Sequence, residues 1–240
     1  MRYQLYYWAE IQGRGEFVRL ALEEAGAPYV DVARLPESDG GGDGAIVRFM
    51  DEERTRPPFA PPFLKAGRVV IAQTANILLF LGGRHGLAPA AEAGRLWVHQ
   101  LQLTIADLVQ EAHDTHHPVG GGLYYEDQKP EARRRSQEFV KARMPKFLGY
   151  FESVLENSPG GRHLVGNRLT YADLSLFQIV EGLRYAFPKA TARIEKKCKL
   201  VSALHDRVAQ RPNISAYLAS PRRIQFNEQG IFRRYGELDF

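Results

Sequence analysis

The residues best placed to do chemistry fall in one stretch, Ala60–Phe80, which reads APPFLKAGRVVIAQTANILLF. Pro61-Pro62 cannot continue a helix and holds the chain extended up to Phe63. Phe63-Leu64-Lys65 and Val69-Val70-Ile71 then read as two short strands joined through Ala66-Gly67. Gln73-Thr74 stops the second strand, and Ala75–Leu81 reads as a helix with Thr74 as its expected N-cap. A strand that ends on a capped helix brings backbone N–H groups and two side-chain donors to one point. Such a point can hold a carboxylate. An ordinary hairpin followed by a capped helix is the plainer reading of the same residues.

Other elements must position that point. Tyr3–Trp8 reads as an aromatic-rich strand, Glu16–Ala25 as a helix ending at Gly26, and Tyr29–Val32 as a second strand. Leu35–Phe59 is irregular, with a charged segment, Arg48–Arg56, of helical character. After the hairpin and helix, Gly82-Gly83 and Gly86–Pro89 read as helix end and linker. Beyond them the apolar spacing is helical throughout. Trp97, Leu101, Ile105 and Leu108 form one stripe, and Val140 to Leu155 another with a kink expected at Pro145. Further helices are expected at Tyr171–Tyr185, Ile194–Val208 and Ile214–Leu218. Thr170 and Asp173 have the spacing of a short-armed capping box, with the acid at the positive helix end.

Pro61-Pro62, the hairpin and Gln73-Thr74 resemble the Leu-Pro, hairpin, Gln-Ser/Thr run of cytosolic glutathione transferases. The resemblance implies an α/β, thioredoxin-like N-terminal domain over residues 1–82, a linker at 83–91, and an all-α helical domain over 92–240. It implies a cis proline at Pro62, a backbone contact from Pro61 to the cysteinyl part of glutathione, and a γ-glutamyl carboxylate held by Gln73 and Thr74. The family activates the thiol with a Tyr, Ser or Cys near the end of the first strand. No Ser, Thr or Cys precedes Ser38, so tyrosine must serve. Tyr7-Trp8 is similar to the Tyr-Phe or Tyr-Trp of alpha, mu, pi and sigma-like members. Strand alternation puts Tyr3, Leu5 and Tyr7 on one face and Tyr6 on the other. Tyr7 is therefore the expected catalytic residue, with Tyr6 as a core aromatic and the alternative.

The implied function is attack of glutathione, the co-substrate, on a small hydrophobic electrophile. Isomerase, peroxidase or lyase chemistry at the same site, or non-catalytic ligand binding, are the alternatives. Two departures from the family pattern affect the ligand set. The family's Arg-Gly-Arg stands here as Gln12-Gly13-Arg14, one residue later, so Arg14 is either a glutathione contact or a structural residue pairing with the helical domain. The glycyl carboxylate has no recognisable Trp/Lys pair; Arg48, Arg54, Arg56 and the Trp8 indole are candidates. Asp107 matches an acid that reaches across a two-fold interface toward the partner's glutathione, which implies a homodimer.

Composition sets the outer bounds. The 44% apolar and 25% charged content is that of a folded globular chain. A net charge of +4 permits attraction to anionic small molecules without demanding nucleic acid. The start Met1-Arg2-Tyr3-Gln4-Leu5 reads as a strand rather than a signal peptide, and no apolar run approaches membrane-spanning length. Cys198 is the single cysteine, which suits a reducing, cytoplasmic setting and reads as an incidental helix thiol. His113, His116 and His117 share a helix face and can ligate a metal, but Pro118 and three glycines come at once after them; a wet helix end near the second-substrate cleft is the preferred reading, with no metal cofactor. Tyr124, Tyr125, Phe226, Phe232 and Tyr235 either wall that cleft or pack.

Overall fold

The computed structural model describes residues 2–53 and 55–240. Four strands, β1 (Tyr3–Tyr6), β2 (Tyr29–Asp31), β3 (Phe63–Ala66) and β4 (Val69–Ala72), form one mixed sheet in the order β2-β1-β3-β4. β1 runs parallel to β2 and antiparallel to β3, which turns back into β4. Alternation splits β1 as expected: Tyr3 and Leu5 join the large core with α1 (Gly15–Glu24), whereas Tyr6 faces the other way. There it stacks on Phe63 with 4.6 Å between ring centroids, beside Phe49 of α2 (Asp43–Glu52). α3 (Thr74–His85) packs with α1 beneath the first face. This is a thioredoxin-like domain, and the remainder is helical.

The helical part comprises α4 (Glu92–Asp114), α5 (Lys129–Glu138), α6 (Met144–Glu156), α7 (Tyr171–Ala186), α8 (Pro188–Glu195), α9 (Lys199–Ala209) and α10 (Pro212–Leu218). α7 is apolar on almost every side and is accordingly buried along nearly its whole length. It touches α4, α9 and α1, so it joins the two halves. Its N-terminus carries the expected capping box. Both Thr170 N–H and Thr170 Oγ1 donate to one oxygen of Asp173 at 2.7 Å, and Leu164 N–H donates to the other at 2.7 Å.

Several boundaries differ from expectation, each for a physical reason. β1 stops at Tyr6, so Tyr7 and Trp8 lie just beyond the ladder. α3 runs through Gly82-Gly83, at a cost of about 1 kcal/mol per glycine relative to alanine, and ends at Gly86 in the left-handed conformation. The residues between α3 and α4 are Gly86–Ala91. There is no break near Pro145: the chain stays helical from Lys129 to Glu156, and a π turn at Phe139–Arg143, just before the proline, accommodates its missing N–H inside the helix. The helix expected over Ile194–Val208 is two helices. Glu152 of α6 accepts from Leu200 N–H at 2.8 Å and Val201 N–H at 2.9 Å, which caps a new start at α9.

The segment after α10 has almost no helix and straps the two halves together. Gln12 donates to the Ile224 carbonyl at 2.6 Å, Asn227 to the Glu10 carbonyl at 2.8 Å, and Arg223 pairs with Glu16 of α1. Among the described residues no helix is long and apolar enough to cross a membrane.

Candidate functional site

The sheet register brings the chemical residues to one end. Tyr6 pairs with Phe63, and Phe63 pairs with Ala72. One residue beyond that rung on each strand stand Tyr7, Pro62 and Gln73. Three segments far apart in sequence thus meet at the sheet edge, with the cis Pro61–Pro62 bond between them. Thr74 comes next as the first residue of α3.

Tyr7 is only 5% exposed. Its ring lies against the loop Gly13-Arg14-Gly15, which only glycine can form at this distance. A Cβ on Gly13 would stand 2.0 Å from the phenolic oxygen, and one on Gly15 would stand 2.5 Å from ring carbon Cγ. Arg14 N–H donates to Tyr7 Oη at 2.8 Å. Burial raises the Tyr7 pKa above the ordinary phenol value; the Arg14 N–H bond and the charges of Arg14 and Arg19 oppose this without reversing it. At neutral pH the phenol keeps its proton while its lone pair is already engaged. It is then a hydrogen-bond donor and not a base. Tyr6 lies on the other face of the sheet, stacked with Phe63 and Phe49.

Thr74 is not the N-cap. That position belongs to Gln73, whose φ of 69° and ψ of 120° make it the one non-glycine residue with positive φ among those described. The Thr74 hydroxyl turns away from the helix and donates to the Arg14 carbonyl at 3.4 Å. The helix start has no side-chain cap. The N-cap Gln73 beside it is exposed. A crevice of about 30 Å³ opens here between the halves, lined by Arg14, Phe17, Thr74, Gln102, Ala106 and Val109.

The Arg14 guanidinium points to the helical half, donating to Gln110 of α4 at 2.7 Å, while Gln110 donates to Asp114 at 2.7 Å. The Arg14 side chain thus pairs with the helical half, while its backbone N–H holds Tyr7. Asp107 is exposed on α4. Trp8 packs half-buried against the Tyr6 cluster. Arg48 and Arg56 are exposed, and Arg54 lies outside the described residues.

His113, His116 and His117 gather with ring centroids 4.7–5.1 Å apart. Burial pushes His116 down to about 3 and His117 to about 4, and lowers His113 too. His116 meets the Ile231 carbonyl at 2.7 Å, which makes it an anchor for the C-terminal strap. Among the described residues no group of three or more His, Cys, Asp or Glu side chains has the arrangement to hold a metal ion. Tyr125 stacks on Tyr235 at 3.9 Å and Phe226 on Tyr185 at 4.9 Å, so these aromatics pack, and only Tyr124 is exposed.

Sequence reading missed two supports of the Tyr7 loop. Gln110 is one. Arg19 is the other: fully buried, it donates to the Ile11 and Gln12 carbonyls at 3.3 Å and to Asp31 at 2.6 Å, and its guanidinium carbon lies 5.8 Å from the Tyr7 ring centroid. A charged residue inside the apolar run FVRLAL was the available signal.

A mixed four-stranded sheet carrying a helical domain, with its polar groups at the sheet end, defines a two-domain thioredoxin-like protein. Comparison with known proteins goes further. Residues 113–221 match the family model "Glutathione S-transferase, C-terminal domain". A glutathione S-transferase of Plasmodium falciparum is 24% identical over 223 residues, covering 90% of this chain and 94% of that one. The Pi-class enzyme of Onchocerca volvulus superposes with a TM-score of 0.70 at 22% identity, covering 91% and 92% of the two chains. A monomeric glutathione S-transferase of the hookworm Necator americanus gives 0.72 at 23% identity, covering 94% and 100%. The chain is thus similar to glutathione S-transferases along nearly its whole length, in sequence and in fold.

Proposed function

We propose that this protein is a glutathione S-transferase that activates the glutathione thiol through the Tyr7 phenol and delivers it to a small hydrophobic electrophile. The observation that carries the reading is the Tyr7 hydroxyl, which accepts from Arg14 N–H at 2.8 Å and keeps its own proton for donation. A free thiol has a pKa of about 8.5 and is mostly protonated near neutrality. A hydrogen bond to the thiolate is worth about 1.5–3 kcal/mol, enough to bring that pKa down by roughly one to two units. Glutathione then lies across the sheet end. Its γ-glutamyl carboxylate sits on Gln73, Thr74 and the open N–H groups of α3, and its cysteinyl backbone pairs with Pro61 beside Pro62. The soluble, cytoplasmic setting expected of the family fits this chemistry.

Tyr7→Phe removes one oxygen and leaves the ring in its slot. Ultraviolet titration of the enzyme-bound thiolate should then read a pKa about one to two units higher, and turnover at neutral pH should fall about tenfold or more. Glutathione affinity should change little, and raising the pH should restore much of the rate. An unchanged thiol pKa in Tyr7→Phe with a raised one in Tyr6→Phe transfers the role to Tyr6. No change in either, with activity intact, ends the tyrosine mechanism.

The second part of the proposal is a two-fold dimer through α4. Phe59 is 94% exposed, and Leu96 and Leu103 of α4 are 65% and 48% exposed, near the exposed Asp107. Covering these apolar groups with a second copy puts Asp107 toward the partner's glutathione amine. Sedimentation at micromolar concentration should show a dimer, and Asp107→Asn should weaken glutathione binding without unfolding the chain. A monomer with full glutathione affinity removes Asp107 from the site.

A further inference from the structure

We infer that a pocket of the helical domain, between the loop before α7 and the end of α9, is a binding site for a small phosphomonoester. Its volume is about 260 Å³, and Arg162, His163, Arg207 and Arg211 converge on it over a floor that includes Leu169 and Leu204. Drug-sized ligands occupy roughly 300–1,000 Å³. The space here suits an oxyanion with a short organic body.

The positive charges in this pocket are only partly balanced, by Glu24 at Arg211 and by Asp173 and Asp206 beside it. Arg211 is matched, donating to Glu24 of α1 at 2.7 Å. Arg207 spends one N–H on the Arg162 carbonyl at 2.7 Å, which is a neutral acceptor, and its buried Nε has no partner. Nδ1 of His163 is likewise buried and unpartnered. Of the acids nearby, Asp173 is committed to the Thr170 capping box and to Leu164, and Asp206 is exposed beside His205. Burial and the neighbouring Arg162 charge together hold the Arg207 pKa below its ordinary value. Arginines in the last turn of a helix complement its dipole, which explains Arg207 alone. It does not explain a loop arginine and a histidine brought onto the same concave wall. A dianionic phosphate on this wall would offset the repulsion among Arg162, Arg207 and Arg211.

The test uses the intact protein with inorganic phosphate and glycerol 3-phosphate, titrated calorimetrically at constant ionic strength. Glycerol 3-phosphate should bind at least as tightly as inorganic phosphate. Arg162→Gln, at an exposed position, should weaken binding about tenfold or more, and Arg207→Gln at least as much. Neither substitution touches the Tyr7 site, so turnover with glutathione should be unchanged. Phosphate also stabilises proteins by general exclusion, so the binding heat and its loss in the variants decide the matter, not melting temperature alone. By NMR the His163 ring, which faces Asp173, Arg162, Arg207 and Arg211, should take up a proton at higher pH when the anion is bound. Absence of binding, or equal binding in the wild type and both variants, overturns the proposal. Binding of inorganic phosphate alone overturns the assignment to an organic monoester.

Discussion

The two helix starts at Thr74 and Thr170 look alike in sequence, a threonine at the head of an apolar helix, and they are built in opposite ways. At Thr170 the cap is closed: Asp173 takes three hydrogen bonds of 2.7 Å from Thr170 and Leu164, and the group is buried. At Thr74 the cap is open. The hydroxyl is diverted to Arg14, the N-cap residue is a glutamine with positive φ, and the first N–H groups have no side-chain partner. A helix end whose donors are satisfied internally supports folding. One whose donors are left free, on a backbone held by the rest of the fold, is available to an anion.

The largest effect expected from this contrast is on stability. Asp173→Ala leaves three donors without their acceptor in a buried place, and each orphaned group costs about 1–3 kcal/mol. The sum, about 3 kcal/mol or more, is a large share of a typical stability of 5–15 kcal/mol. Urea unfolding should register this loss, while glutathione affinity of the folded fraction stays as it was. A drop in glutathione affinity at unchanged stability would invert the roles assigned to the two helix starts.

The contrast also separates local from long-range information in the chain. The strand rungs, the hairpin and the Thr170–Asp173 box depend on spacings of a few residues, and each is found where local pattern puts it. Where reading failed, a distant group intervened. The Arg14 carbonyl takes the Thr74 hydroxyl from 60 residues away, and Glu152 starts α9 from another helix. Tyr7 was legible as a candidate through the family resemblance, but the loop that encloses it was not. That loop depends on Arg19 reaching back to two carbonyls and on Gln110 of α4 holding the Arg14 side chain. Long-range polar contacts leave no periodic trace in the chain.

A smaller effect separates the two threonines directly. Thr170→Ala removes a cap hydroxyl and should cost about 1 kcal/mol of stability with no change in glutathione binding. Thr74→Ala removes only a long bond to a carbonyl, so stability should fall by a few tenths of a kcal/mol. Its cost should appear in the glutathione dissociation constant: the hydroxyl has to turn from the Arg14 carbonyl to the bound carboxylate, and loss of that one hydrogen bond should raise the constant about tenfold. Paired unfolding and calorimetric titrations of the two variants make the check. Equal stability losses with intact glutathione binding in both would reduce Thr74 to an ordinary helix residue.

The smallest expected effect concerns Gln73, and its sign is the informative part. Its φ of 69° and ψ of 120° lie outside the regions that an L-residue ordinarily occupies. Such a conformation costs on the order of 1–3 kcal/mol and is held by its surroundings. Here β4 and α3 fix the residues on either side. Gln73→Gly relieves that cost but adds chain entropy of about 0.5–1 kcal/mol to the unfolded state. The net is a stabilisation of about 1 kcal/mol, equivalent to a melting temperature roughly 2–4 °C higher. The side-chain donor is lost at the same time, so glutathione should bind more weakly. Gaining stability while losing affinity is the signature of a residue kept in a strained backbone for its side chain. If Gln73→Gly instead melts lower, the backbone at this position is not under strain and the contrast with Thr170 rests on capping alone. If it melts higher and binds glutathione as before, the anion is held by the helix N–H groups and Thr74, without Gln73.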